Sequence, residues 1–257
     1  MVTAFIPVFY LETGMTASYL RVLWPFILII LLILGGMNAF FISNRRLFRL
    51  LESEDWPALH EFLEEKIYRE KRYSARYVRL LAQTCLAVGD FSGAARLESL
   101  IALVKPALVD ENALVFGIAR ILGKDEAGAV DFFHNQLEKK SSQDPEWLRW
   151  FYGFSLVLGG YHEKAGDIFE ELSVNAKNIV VTGLSAFLLS QILAKYAPGH
   201  VEWYARTAEV KNRVVKILKS ADKWKKKADK TQAEVQGSVI RKYLENAGEW
   251  LFREYSL

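Results

Sequence analysis

The alternation of apolar and polar positions divides the chain into one continuous apolar run and a series of amphipathic stretches. From Val22 to Asn44 there are 23 residues without a charged side chain. Beyond it, apolar residues recur at helical spacing: Leu59, Phe62, Leu63 and Ile67, then Ala94, Leu97 and Ile101, then Ala129, Phe132 and Phe133. The stretch from Trp147 to Leu172 predicts two helices meeting at Gly159-Gly160. Asp144 is placed to cap the first, and Pro145 falls in its first turn, where a missing N–H costs nothing. Tyr161 opens the second, with Ala165, Ile168, Phe169 and Leu172 on one face. Ile179 to Tyr196 is strongly apolar, but Gly183, Ser185, Ser190, Gln191 and Lys195 favour a buried helix over a second membrane span. Pro198-Gly199 ends it. A long helix from about His200 to Lys227 and a terminal one from Thr231 to about Tyr255 follow; Ile240, Tyr243, Leu244, Ala247, Trp250 and Leu251 form the last apolar stripe.

The helix pairs repeat. Corner glycines fall at Gly89, Gly123 and Gly159. The small residue opening the second helix falls at Ala94, Ala129 and Ala165, and a small residue inside the first falls at Ala82, Gly117 and Gly153; both of these series are spaced by 35 and 36. Series in register at such a period predict a helical-hairpin array, with small residues where helices cross closely. Gly89-Asp90-Phe91 followed by Ala94, with Pro106 closing the unit, resembles the tetratricopeptide repeat, over roughly Trp56 to Ser173 and best from Ser74 to Pro106. The third and fourth copies carry an extra residue between corner and alanine. Trp56 precedes Phe91 by 35 residues, as Leu59 precedes Ala94, so a first repeat starts directly after the apolar run. The resemblance implies an α-solenoid whose first helices line a concave surface for partners.

The apolar run has the length of a membrane span: at ~1.5 Å per residue it matches a hydrocarbon core of ~30 Å. Trp24 and Phe40-Phe41 stand near its ends and Arg21 and Arg45-Arg46 bracket it. A cleaved signal peptide is the alternative, but the apolar core is too long for one and Met37 is poorly placed before a cut after Ala39. Arg45, Arg46 and Arg49 follow the run, whereas Arg21 and the amino terminus precede it, which favours a cytoplasmic body by one charge over a periplasmic one. Residues 1–21 are apolar but uneven, interrupted by Pro7 and Gly14, and either Met1 or Met15 can be the start. The expected division is thus an N-terminal segment 1–21, a transmembrane helix 22–44 and a helical domain 45–257.

Composition adds limits. The chain has 257 residues, 51% hydrophobic, and can bury a sizeable core. Its single cysteine, Cys85, excludes an intramolecular disulfide and reads as a buried small hydrophobe. His60, His134, His162 and His200 are scattered, none paired with Cys or carboxylates at metal-ligand spacing. No nucleophile-elbow, phosphate-loop or zinc-protease motif occurs, so no enzyme, cofactor or metal is expected.

Two surfaces remain as candidates. Trp147, Trp150 and Phe154 form one line on the helix from Glu146 to Leu158; they read as partner anchors on a concave surface or as plain core. The segment Arg206–Lys230 holds ten Lys/Arg against three acids, so it carries +7 while the rest carries −4. Within it, Lys223, Lys225, Lys226, Lys227 and Lys230 read as a solvated helix face or as a surface for anionic lipid, an acidic partner or, least well, nucleic acid. The expectation is an all-α protein: an N-terminal transmembrane helix in a bacterial inner membrane, followed by a tetratricopeptide-like solenoid and a C-terminal cap. It would serve as a scaffold, adaptor or assembly factor for an envelope complex, by analogy with single-pass proteins that support secretion, cell-wall or motility machines. The alternative is a chaperone-like or anionic-lipid-binding module acting through residues 206–230.

Overall fold

The computed structural model describes residues 13–139, 144–196 and 202–253, all helical or connecting, with no strand among them. Contacts divide the chain into two compact units, Met1–Leu59 and His60–Leu257.

In the first unit, helix α1 (Thr13–Ser43) contains all of the apolar run but its last residue, Asn44. Over Leu23–Ser43 it is long and apolar enough to cross a membrane, and none of that stretch is buried in the protein. Gly14, expected to interrupt a helix, instead lies in the first turn of α1, where the backbone N–H groups lack intrahelical partners anyway. The single residue Asn44, whose side-chain amide donates to the Phe40 carbonyl at 2.8 Å, separates α1 from α2 (Arg45–Glu52). α3 (Trp56–Glu64) follows and runs into a widened turn, Glu65–Arg69.

The second unit continues with α4 (Ala75–Val88), α5 (Phe91–Val104), the short α6 (Ala107–Glu111), α7 (Ala113–Leu122), α8 (Glu126–Glu138), α9 (Pro145–Leu158) and α10 (His162–Asn175). Its last helices are α11 (Ile179–Leu188), α12 (Glu202–Leu218), α13 (Ala221–Gln232) and α14 (Gly237–Phe252). Within each pair, α4 packs on α5, α7 on α8 and α9 on α10. The leading helices also touch in succession, α4 with α7, α7 with α9 and α9 with α11.

The corners explain the period. At Gly89 (φ 76°) the chain turns left-handed; the Gly89 N–H donates to the Leu86 carbonyl and the Asp90 N–H to that of Cys85, at 3.3 and 2.9 Å. This is the helix-ending pattern in which two orphan carbonyls are satisfied at once. The same bonds recur around Lys124 (φ 60°) and Gly160 (φ 80°), and around Glu54 (φ 52°) at the end of α2. Asp55, Asp90 and Asp125 then cap the next helix, accepting from Ala58, Gly93 and Gly128 N–H. Two of the three glycines taken as corners are therefore corrected. Gly123 and Gly159 have right-handed φ of −75° and −77°, and the residue after each makes the turn. No extra residue separates corner from alanine: 54, 89, 124 and 160 keep the register of Leu59, Ala94, Ala129 and Ala165, all four of them buried.

The small residues do face close neighbours, but the neighbour is a ring rather than a backbone. A Cβ on Gly117 would stand 2.1 Å from Phe133 Cζ, and one on Gly153 would stand 3.0 Å from Phe169 Cζ. At the other end of the unit, Trp224 of α13 lies between Gly183 of α11 and Gly248 of α14, where added Cβ atoms would come within 2.7 and 2.8 Å of the indole. Its Nε1–H donates to the Leu244 carbonyl at 3.1 Å.

The expected helix from His200 to Lys227 is broken. Lys219 (φ 66°) turns the chain and the Ser220 hydroxyl caps α13, so the aliphatic face of α12 and the Trp224 face of α13 pack separately. The terminal helix begins at Gly237 rather than Thr231, which lies in the last turn of α13. The apolar stretch after Ile179 is buried from Val180 to Ser190, as a core helix.

Candidate functional site

The aromatic line on α9 is core. Trp147, Trp150 and Phe154 are 2%, 0% and 4% exposed. Trp150 stacks on Phe154 (5.3 Å, 13°) and meets Phe151 and Phe169 edge-on, while Phe154 meets Tyr243 of α14. The partner-anchor reading of these three residues is corrected: α9 is flanked by α8, α10, α7 and α11, so helices of the same chain cover the faces that would have met a partner.

The lysines fare differently. Lys223, Lys225, Lys226, Lys227 and Lys230 are all exposed on α13, while Trp224, Ala228 and Thr231 are buried on its other side. Several basic residues of the preceding helix are already engaged. Arg213 donates to the Ser173 and Val174 carbonyls at the end of α10, Arg206 lies 3.5 Å from Glu170, and Lys211 sits over the Trp250 ring. The five α13 lysines have no ion pair with a described residue. An open cleft of about 770 Å³ beside them, between α13 and α14, mixes Lys225 and Arg253 with Asp229, Glu245 and Glu249.

The grouping that the sequence did not announce is at the corner between α4 and α5. Cys85 lies in the last turn of α4, Asp90 caps α5, and His60 comes from α3, 25 residues before the cysteine. No metal-ligand spacing in the sequence links these three residues; the fold brings them together. His60 Nε2 lies 3.5 Å from Cys85 Sγ and 3.7 Å from Asp90 Oδ2, and the three donor atoms lie within 4.8 Å of one another. His60 Nδ1 faces Glu64 Oε2 at 4.0 Å, one helical turn on. Arg96 stands at the mouth, 3.5 Å from Asp90 and 3.8 Å from Glu64, with its side chain 66% exposed.

Electrostatics follow from this setting. Burial, reinforced by the Asp90 and Glu64 carboxylates, pushes the Cys85 thiol up to about 12, against the pull of Arg96. Tyr68 is likewise pushed up to about 12 by burial, with Arg96 opposing and Cys85, Glu64 and Asp90 adding to the rise. For Asp90, burial raises the pKa, but hydrogen bonds from Gly93 N–H and the Ser92 hydroxyl, together with Arg96 and His60, outweigh it and hold the carboxyl below its usual value. A thiol kept protonated in this way is a poor nucleophile, so the trio does not read as an activated cysteine. The available signal was the sequence spacing of 35 that relates Leu59, next to His60, to Ala94 beyond Asp90.

The other histidines carry no such grouping. His134 stacks on Tyr152 and lies 3.7 Å from Glu138, His162 stacks on Tyr196, and His200 lies outside the described residues.

The family described as an uncharacterised Treponema protein matches residues 93–253, more than half of the sequence. The chain belongs to that family. A relative from Treponema pallidum (strain Nichols), described as an uncharacterized protein, is 28% identical over 235 residues, covering 88% of this chain and 74% of its own. The family match takes in α13 and begins just beyond Asp90.

Proposed function

We propose that this family member is a bacterial membrane protein with a single anchoring helix, α1, whose tetratricopeptide-like solenoid of helix pairs holds other proteins at the membrane as a scaffold or assembly factor. The observation that carries the reading is the recurring corner at Glu54, Gly89, Lys124 and Gly160, which gives successive helix pairs one local geometry. Repeats of this kind work through contact area on their leading helices. With Trp147, Trp150 and Phe154 in the core, the surface passes to the shallow groove that Arg79 and Gln83 of α4, Leu114 of α7, Asp144 and Glu234 line. The arginines after α1 support a cytoplasmic body over a periplasmic one.

The test uses the full-length protein in its own membranes. It should stay in the pellet after carbonate washing; release would remove the anchor. A photo-crosslinking residue at the exposed Gln83 should trap discrete protein partners, and an absence of adducts there would overturn the docking reading.

The exposed lysines of α13, without an ion pair among the described residues, favour a second reading, a surface for anionic headgroups. Charge reversal at Lys225, Lys226 and Lys227 should then abolish a salt-sensitive association with anionic vesicles, since exposed charges are screened within ~8 Å at physiological ionic strength. Stability should change by no more than ~0.5 kcal/mol. If vesicle association is unaltered by the reversal, the lysines are a solvated face.

A further inference from the structure

We infer that His60, Cys85 and Asp90 form a binding site for a zinc-class divalent metal, with three protein donors and a fourth position open to solvent. Zinc takes thiolate, imidazole and carboxylate ligands at ~2.0–2.3 Å, and a tetrahedral arrangement at those lengths sets donor atoms about 3.3–3.6 Å apart. His60 Nε2 stands 3.5 Å from Cys85 Sγ and 3.7 Å from Asp90 Oδ2, so small side-chain movements bring all three to one centre. The donor set mixes one soft and two harder ligands, which suits zinc over magnesium or calcium.

Three further observations point the same way. His60 turns Nδ1 towards the Glu64 carboxylate at 4.0 Å, and metal-bound histidines commonly donate their second ring N–H to such a group. Asp90 already spends Oδ1 on the Gly93 N–H and the Ser92 hydroxyl, which fixes the carboxylate and leaves Oδ2 facing the other two donors. The corner itself does not demand this chemistry. One repeat on, the places of His60, Cys85 and Asp90 are taken by Ala95, Arg120 and Asp125, where Arg120 pairs with Asp125 at 3.2 Å. Two repeats on they are Val130, Leu156 and Tyr161.

Binding forms a metal–sulfur bond and releases the Cys85 thiol proton to solvent, so affinity rises with pH. Arg96 opposes a dication beside Asp90, but its exposed side chain can swing towards Glu64.

The experiment is cobalt(II) titration of the metal-stripped, full-length protein in detergent, followed by displacement with zinc. The expected result is a single equivalent bound, a thiolate-to-cobalt charge-transfer band, its loss on zinc addition, and a higher melting temperature with metal. Cys85→Ala should abolish the band. Asp90→Asn should weaken binding while keeping the α5 cap, because an asparagine side chain caps about as well as aspartate; it therefore tests the site even if the cysteine variant misfolds. Glu64→Gln should cost roughly 10–100-fold in affinity. Absence of a charge-transfer band in the parent, its persistence in Cys85→Ala, or unchanged affinity in Asp90→Asn would each overturn the assignment.

Discussion

Gly117 offers a sharp test of how the helix pairs are packed. In a helix interior alanine is favoured over glycine by about 1 kcal/mol, so propensity alone says that Gly117→Ala stabilises α7. The packing says the opposite. The new methyl would meet Phe133 at 2.1, 2.5 and 2.7 Å from three ring atoms, well inside van der Waals contact. Whether the ring can retreat decides the sign. Phe133 is fully buried, stacks on Phe151 at 6.0 Å and 15°, and meets Phe132 edge-on, so movement displaces α9 or α8. Overpacking of this kind costs about 1–3 kcal/mol. Set against the propensity gain of about 1 kcal/mol, the net expectation is a loss of up to about 2 kcal/mol in denaturant unfolding of the full-length protein, followed by circular dichroism. Gly153→Ala should be milder, because the nearest Phe169 atom lies at 3.0 Å. A double-mutant cycle identifies the cause. With Phe133→Leu in the background, Gly117→Ala should lose most of its penalty, a coupling of ~1 kcal/mol or more. If Gly117→Ala stabilises the protein, or if the two changes add within ~0.5 kcal/mol, the ring-against-glycine account is wrong.

Two other outcomes follow from single side chains. Lys124 holds a left-handed turn, a conformation that costs an L-residue roughly 1–2 kcal/mol, while glycine costs about 0.5–1 kcal/mol in unfolded-state freedom. Lys124→Gly should therefore stabilise by roughly 0.5–1 kcal/mol in the same unfolding assay, and a destabilised variant would argue against the left-handed corner. Burial raises the Tyr243 pKa, so the folded state keeps its proton after the unfolded state has lost it. That contribution is present below the unfolded value of ~10 and is lost as pH rises beyond it. Thermal melts should show Tyr243→Phe gaining on the parent above pH ~10, with the ring contact to Phe154 retained; a constant difference across pH would exclude the effect.

The helix content was legible because apolar spacing and capping residues are local signals. Asp144 with Pro145 and the arrest of α4 at Gly89 appear where the sequence placed them. Glycine was a less faithful marker than the bonds it serves. Gly123 and Gly159 drew the corner one residue early, since composition does not reveal which of two neighbours adopts positive φ. The α12–α13 break was hidden for a related reason: Lys219-Ser220 looks like the middle of a basic helix, and only the packing of Trp224 against Gly183 and Gly248 makes the turn worthwhile. Aromatic crowding on α9 was visible, but its meaning depended on how many neighbours cover that helix, a tertiary quantity. The His60–Cys85–Asp90 grouping joins residues 25 and 5 positions apart on three helices, and no fixed-spacing motif describes it.

The corners also show what fixes each turn. If glycine were the determinant, Glu54 and Lys124 could not stand in its place, because each adopts a backbone conformation that disfavours a side chain. They are tolerated where two carbonyls at the end of one helix find donors and an aspartate receives the first free N–H of the next. Those paired bonds, roughly 0.5–1.5 kcal/mol each, are comparable with the strain they accompany. Each corner is thus held by hydrogen bonding, with buried small-to-large contacts beyond it, and the identity of the turning residue is secondary. That freedom explains how one corner can carry a cysteine, an aspartate and a facing histidine while the next carries an arginine–aspartate pair on the same backbone. The fold constrains where the side chains are presented, and leaves open the chemistry that each corner presents.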